Sequence, residues 1–377
     1  MTGAPLHIAH ITGESGFSGG ESQLFLLIEG LRARGHTNLL VCPPGSDAER
    51  EARRRGFAAE SIAMRNDLSL GAARQVAALL RRHAPAIVHC HTGRANWVGG
   101  IGARWAGVPA LSTRRMDRRV KRGLRTRWLY RRLLRRVAAI SPAVERRLLD
   151  ARVEPERIRV IWSAVDPEAL RPSAPREVLR AQLGAAPETP CLLVAANLVR
   201  RKGVDVLLAA VAALAPGSRC VLWVAGDGAE RAALEAAAAR LGIAERVRFL
   251  GRRGDVPDLL EACDVFVLPS RQEGLGVAAL EAMARGRPVV ASAVGGLAEI
   301  VIPEQTGLLV PPGDAAVLAA ALERLLADPG LARRLGAAGA ARVAERFLAE
   351  QMVSAYEALY REILAERSAG VGAGDAR

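Results

Sequence analysis

Residues 265–290 read VFVLPSRQEGLGVAALEAMARGRPVV. The four apolar residues 265–268 have the continuous hydrophobicity of a strand buried on both faces. Pro269 ends that run, and Gly274 and Gly276 allow the backbone to approach a ligand closely. A helical pattern follows, and residues 288–292 begin a second apolar strand. Strand, glycine turn, helix and strand make a βαβ unit, which belongs to a parallel sheet covered on both faces.

The same rhythm extends outward from this stretch. Residues 191–196, 220–225, 247–250 and 307–310 read as further strands. An earlier set lies at 6–12, 37–42, 86–91, 108–113, 137–140 and 158–162, with a helix at about 20–34. Between the sets, residues 166–190 carry Pro167, Pro172, Pro175, Pro187 and Pro190 and read as a connection. The expected organisation is α/β, with two Rossmann-like doubly wound parallel-sheet domains at 1–165 and 191–349 and a linker at 166–190. A helix at 350–367 follows the second sheet with no strand to lead into, which makes it a candidate to return to the first domain. The Gly/Ala-rich tail 368–377 is expected to fray. Ligands bind at the carboxyl ends of parallel strands, so the cleft between the domains is the expected site.

Bulk properties agree with this plan. A chain of 377 residues that is 50% hydrophobic suits two cores. No run approaches the ~18–20 apolar residues of a membrane span, and residues 1–5 carry no secretory pattern. Cys42, Cys90, Cys191, Cys220 and Cys263 are scattered, which fits a reducing cytoplasm. The net charge of +14 lies in the first half: residues 1–188 hold 32 Lys+Arg against 17 Asp+Glu, and residues 189–377 hold 21 against 22. Residues 114–136 alone hold twelve basic side chains and one acid, Asp117. The chain uses 51 arginines and only two lysines, Lys121 and Lys202, so isoelectric point by itself says little about function.

The helix following Gly276 presents free N–H groups and a positive dipole end, a natural seat for a diphosphate. Glu273 precedes it and Glu281 lies two turns inside, on the order of 10 Å apart at the helical rise. That is too far for a retaining glycosidase pair, which needs about 5–5.5 Å. It suits two polar anchors on one long ligand. Lys202, in Asn197-Leu198-Val199-Arg200-Arg201-Lys202-Gly203, is expected to open a helix, and a cation there would oppose the helix dipole unless a ligand needs it. His89 and His91 close the strand at 86–91. His89 reads as a hydrogen-bonded histidine steering the loop, and His91 as a ligand contact. Gly16 to Gly20 form a turn without the spacing of a dinucleotide fingerprint, so no NAD is expected. There is no Asp-x-Asp and no metal-spaced His/Cys cluster, and no metal or other cofactor is expected.

The Glu273-x7-Glu281 pattern, followed by Ala-Met-Ala-Arg-Gly-Arg-Pro-Val-Val, resembles the signature of family-4 retaining glycosyltransferases of the GT-B fold. Val294–Val301 and Thr306–Val310 are similar to the next two family blocks, and Gly19-Gly20-Glu21 to its first Gly-rich loop. The resemblance implies two domains facing across a cleft, the first binding acceptor and the second a nucleotide diphosphate-sugar. It implies donor contacts from Asn197, Arg201, Lys202, Gly226, Glu273, Gly274, Leu275, Gly276, Glu281 and Gly20, with Glu273, Lys202 and His91 nearest the chemistry. Asn197 departs from the family's common Arg, and Arg200 or Arg201 is the candidate for the second cation. From Leu124 the apolar residues Trp128, Leu129, Leu133, Leu134 and Val137 suggest a helix with one apolar stripe. That helix has a dense arginine face, and the basic surface of the segment, with Arg114, Arg115, Arg118, Arg119, Arg122 and Arg125, reads either as solvated or as one for anionic membrane or anionic acceptor. Nucleic acid is not expected as a partner, because aromatics are sparse and no reader motif appears. The rival readings are a sugar phosphorylase or nucleotide-sugar epimerase of the same architecture, and a non-catalytic nucleotide-sugar-binding protein.

Overall fold

The computed structural model describes residues 4–215 and 220–372. The chain divides into two compact units. Unit 1 comprises the residues up to Ser163 and those from Ala349 on, and unit 2 comprises Ala164–Leu348.

Unit 1 holds seven strands: β1 (His7–Ile11), β2 (Thr37–Cys42), β3 (Ala58–Ser61), β4 (Ile87–Cys90), β5 (Ala110–Arg114), β6 (Arg136–Ala139) and β7 (Ile158–Val160). They pair in parallel in the order β3-β2-β1-β4-β5-β6-β7. The chain winds outward from β1 to β3, returns, and winds the other way from β4 to β7. The reversal falls between β1 and β4, and such a switch point leaves a crevice at the carboxyl ends of the two strands. The strand β3 was absent from the expected set. Its four residues, Ala-Ala-Glu-Ser, lack an apolar run, and only the ladder to β2 makes them a strand.

Unit 2 repeats the plan with β8 (Cys191–Ala195), β9 (Val221–Ala225), β10 (Val247–Gly251), β11 (Val265–Leu268), β12 (Val289–Ser292) and β13 (Leu308–Val310). The order is β10-β9-β8-β11-β12-β13, all parallel, with the reversal between β8 and β11. A core of Leu, Val and Ala side chains from these strands and their helices is almost wholly shielded from solvent. All five cysteines are buried and unpaired.

Residues 166–190 are more ordered than a linker. They include the helix Arg176–Gln182 and group with unit 2. Arg176 Nη1 donates to the carbonyls of Glu261 at 2.7 Å and Cys263 at 2.8 Å, and the buried Arg180 reaches Asp264 at 3.0 Å. Proline density marked a change of direction, while arginine contacts about 80 residues away pinned the segment down.

The final helix, Ala349–Gly372, runs longer than the expected 350–367 and through part of the expected tail. Residues 373–377 of that tail lie outside the described residues. The helix belongs to unit 1 and packs against the helix Gly19–Ala33. A Cβ at Gly30 would stand 2.4 Å from Val353 Cγ2, so the small residue admits the contact. Polar contacts fix the register. Tyr360 Oη lies 2.7 Å from His89 Nδ1, and Tyr356 Oη lies 2.7 Å from Thr113 Oγ1. Both tyrosines are fully buried. Removing the Tyr360 hydroxyl would leave a buried imidazole nitrogen without its partner. Tyr360→Phe is therefore expected to destabilise the protein by about 1–3 kcal/mol in urea denaturation.

Candidate functional site

Unit 2 brings most of the donor-contact candidates to its switch point. After β8 the chain passes through Asn197 into a single 3-10 turn, Arg200–Lys202, and the α-helix begins only at Val204. Lys202 therefore ends a turn before the helix instead of opening it. The reason is Gly203, whose φ of +68° separates turn from helix. A Cβ on Gly203 would lie 2.0 Å from the Pro269 carbonyl oxygen, so the loops after β8 and β11 lie backbone against backbone. Arg271 N donates to Arg201 O at 2.8 Å, and its guanidinium grips Asp205 at 2.6 and 2.7 Å.

This contact places Lys202 Nζ in an ion pair with Glu273 Oε2, and Ser270 Oγ donates to the same oxygen at 3.2 Å. The two paired side chains are 13% and 11% exposed, so they are shielded yet reachable. Asn197 is exposed, and the Arg201 guanidinium is half-buried. Gly226, with φ +136°, closes the floor beside them, because a Cβ there would stand 1.9 Å from Ala196 O.

The helix Val277–Ala284 starts from Gly276, whose φ is +97°. A Cβ on Gly276 would meet Leu297 Cδ2 at 2.4 Å, and one on Gly296 would meet Gly274 O at 2.4 Å. The 294–301 block thus packs directly on the loop that carries Glu273, and Gly296 N donates to Glu273 O at 3.4 Å. Leu275 is buried, so this position offers a ligand only its backbone. Glu281 is half-buried in the helix, and its carboxylate makes no hydrogen bond or ion pair among the described residues. Burial without a partner pushes its pKa up to about 7.

Unit 1 gathers a polar layer at its own switch point. His10 Nε2 lies 3.0 Å from Asn38 Oδ1, and the Asn38 amide nitrogen faces the carbonyls of Ile28 and His36 at 3.5 and 3.3 Å. This network puts the His10 proton on Nε2 and leaves Nδ1 as acceptor. His91 Nε2, 3.1 Å away, then donates to His10 Nδ1, and His91 Nδ1 carries a bare lone pair. That atom is buried without a partner. Burial, followed by the charges of His89, His10 and Arg115, holds the His91 pKa well below the ordinary value, so the ring is neutral. His89 has both ring nitrogens in hydrogen bonds, to Thr113 Oγ1 and Tyr360 Oη, each at 2.7 Å. One nitrogen from each of His10, His89 and His91 falls within a 4.8 Å set. A metal there would have to displace one of the two hydrogen bonds that occupy the nitrogens of His89.

The arginine segment differs from its expected form. The α-helix covers only Leu124–Trp128 and widens to a π-helix at Leu129–Leu133. Leu124 is 83% exposed and outside any apolar stripe. Trp128 instead stacks on Trp97 with ring centroids 5.8 Å apart, while Leu129 and Leu133 turn to the core. Arg118, Arg119, Arg122 and Arg125 are exposed and Arg114 is half-buried, donating to Arg118 O at 2.6 Å. Arg115 is a correction. It continues the alternation of Leu111 and Thr113, so its guanidinium points inward, and Nε and Nη2 are buried. Its stem passes over Gly20, where a Cβ would stand 3.5 Å from Arg115 Cδ. Sequence reasoning also missed Arg271, His10, Thr113, Tyr356 and Tyr360, whose partners are remote in the chain. Arg271 alone carried a signal, lying inside the 269–276 loop.

Comparison with known proteins bears on this geometry. Residues 17–169 match the family described as Glycosyltransferase Family 4, and residues 175–342 match Glycosyl transferases group 1. A 2-deoxystreptamine glucosyltransferase of Streptomyces kanamyceticus is 35% identical over 292 residues, 70% of this chain and 74% of that protein. A D-inositol 3-phosphate glycosyltransferase of Streptomyces bingchenggensis is 38% identical over 223 residues, 56% of this chain and 49% of its own length. The chain thus spans about half the length of the first curated relatives it matches. Among solved structures, Anabaena Alr3699/HepE in complex with UDP and glucose aligns with a TM-score of 0.86 at 24% identity, covering 95% of this chain and 100% of that one. That likeness concerns the fold. No helix among the described residues is long and apolar enough to cross a membrane. The chain belongs to the group 1, family 4 glycosyltransferases, and its two parallel-sheet units are those of the GT-B fold.

Proposed function

We propose that this chain transfers a sugar from a nucleotide diphosphate-sugar to a saccharide or lipid-linked acceptor of the cell envelope, with retention at the anomeric carbon and without a metal or other cofactor. The observation that carries the reading is the Lys202–Glu273 pair at the β8/β11 switch point, beside the N-terminus of the Val277–Ala284 helix. Lys202 and the amides at Gly274–Gly276 take the diphosphate, Glu273 accepts hydroxyls of the transferred sugar, and Glu281 accepts those of the ribose. Asn197, Arg201 and Gly226 complete the donor surface. Entering phosphate competes with Glu273 for Lys202, so donor binding exchanges one ion pair for another and frees the carboxylate for the sugar. The acceptor oxygen bonds to the anomeric carbon as the carbon–phosphate oxygen bond breaks, and the leaving phosphate takes the acceptor proton. Lys202 stabilises the charge that develops on the departing diphosphate. The UDP held by the Anabaena protein supports this donor class. His91 and the Gly20 loop serve the acceptor. We place this reaction at the inner face of the cytoplasmic membrane, with Arg118, Arg119, Arg122 and Arg125 toward anionic lipid or an anionic acceptor.

Release of nucleoside diphosphate from a panel of UDP-, GDP- and ADP-sugars tests the reading. One donor should be turned over with acceptor in the presence of EDTA, and Lys202→Ala and Glu273→Ala should each cut the rate by about 10²–10³-fold. Dependence on inorganic phosphate would indicate a phosphorylase, donor conversion without acceptor an epimerase, and binding without turnover a non-catalytic protein.

Glu281 gives a pH dependence. Ribose hydroxyls donate to an ionised carboxylate, so nucleotide affinity should fall as pH drops through about 7, and Glu281→Gln should flatten the profile in calorimetric titration. The same shift lies above the ordinary value of 4.5, so ionisation of Glu281 costs stability as pH rises from about 4.5 to about 7. The variant should therefore be more stable than wild type at pH 8 and equal to it at pH 4. For the arginine surface, charge reversal at Arg118 and Arg122 should abolish sedimentation with phosphatidylglycerol vesicles and leave turnover of a soluble acceptor intact.

A further inference from the structure

Arg115 is half-buried as a residue, but one binding edge of its guanidinium is shielded and unused. Its Nη1 reaches Ser163 Oγ at 3.4 Å, while Nε and Nη2 are buried without a hydrogen-bond partner. Those two N–H groups share one side of the guanidinium, the edge that grips two oxygens of a carboxylate or phosphate in parallel hydrogen bonds. A partly desolvated cation without an anion is costly, and desolvation lowers its pKa against the opposing influence of Tyr356, Glu21 and Tyr360. Glu21 is the nearby acid, and it makes no ion pair with Arg115. Its Oε2 is committed to Ser18 N at 3.0 Å and Ser18 Oγ at 2.6 Å.

Two further unpartnered atoms share the neighbourhood. Side-chain alternation along the adjacent strands β1, β4 and β5 puts Thr12 with His10, His91 with His89, and Arg115 with Thr113, all on one face at the carboxyl ends. Thr12 Oγ1 and His91 Nδ1 are both buried without a partner, in residues that are 0% and 6% exposed. The His91 lone pair can only accept, so it suits a hydroxyl. Arg115 can only donate, so it suits an oxyanion. The first turn of the Gly19–Ala33 helix lies against the arginine stem at Gly20, where a Cβ would be in van der Waals contact with Arg115 Cδ.

We propose that these residues form an oxyanion subsite within unit 1, in which Arg115 binds a phosphate or carboxylate through its Nε–Nη2 edge and His91 Nδ1 accepts a hydrogen bond from a hydroxyl of the same ligand. The ligand is a hydroxylated oxyanion, such as a sugar or polyol bearing phosphate or carboxylate. The inference rests on the glycosyl-transfer reading only in naming two sources for that group, the donor diphosphate or an anionic acceptor.

The test uses the full chain carrying Lys202→Ala, which removes the lysine of the unit 2 site. Inorganic phosphate is titrated by calorimetry at constant ionic strength, with chloride as control. Phosphate should bind this variant, Arg115→Gln added to it should weaken binding by about tenfold or more, and Arg115→Lys should fall between. The added Arg115→Gln should melt no lower than its parent, since it removes a cation that has no anionic partner. Absence of phosphate binding, binding unchanged by Arg115→Gln, or loss of binding with a lowered melting temperature would each overturn the subsite. UDP titration of Arg115→Gln in the otherwise native chain then names the source. A comparable loss assigns the donor diphosphate, and unchanged UDP affinity assigns an anionic acceptor. Failure of nucleoside diphosphate release would sink the transferase reading and leave the phosphate titration standing.

Discussion

The loops after β8 and β11 touch backbone to backbone, and position 203 has no room for a side chain. The meeting of Lys202 and Glu273 in unit 2 depends on that contact. Without it Lys202 and Glu273, 71 residues apart in sequence, would have no reason to meet. A second close approach, between Gly296 and Gly274–Leu275, holds the same loop from the other side. The glycine-rich blocks downstream of the Glu-x7-Glu pattern therefore have a packing reason. They allow the loops at the carboxyl ends of β11 and β12 to lie close enough for their polar groups to converge.

Unit 1 solves a different problem. Its central strands carry His10, His89, Thr113 and the inward-turning Arg115 on a face that helices cover. Buried polar groups must find partners or cost stability. Tyr356 and Tyr360 supply two of them, and both come from the C-terminal helix. That helix is thereby tied to unit 1 by specific hydrogen bonds as well as by apolar packing. The same layer leaves a few atoms unsatisfied, and these cluster at the switch point where a ligand would enter.

Much of the fold was legible in the sequence because parallel strands buried on both faces are continuous apolar runs, and helices between them keep the 3.6-residue period. Twelve of the thirteen strands carry that signal, and β3 lacks it because an edge strand of Ala-Ala-Glu-Ser is defined by its neighbour. Glu273, Glu281, Lys202 and the glycines were legible because they sit close together along the chain or stand out against an arginine-rich background. The role of Arg271 was not, because its partner Asp205 lies 66 residues away. The arginine segment misled for a related reason. Its composition suggested one uniform basic helix, while a π-helical widening and the alternation of β5 sent Leu124 outward and Arg115 inward.

By itself, then, the sequence determined the class of fold, the two-unit plan and the residues around which a donor surface could form. These follow from periodicity, turn chemistry and short motifs, all of which are local along the chain. Tertiary structure alone decided that Lys202 pairs with Glu273 and that Glu281 stands unpaired. It also decided that His89 is held by a tyrosine 271 residues away and that Arg115 turns Nε and Nη2 away from solvent. Each of these is a matter of which groups face one another once distant segments pack. Burial and partnership, which set charge state and reactivity, exist only after that packing is complete.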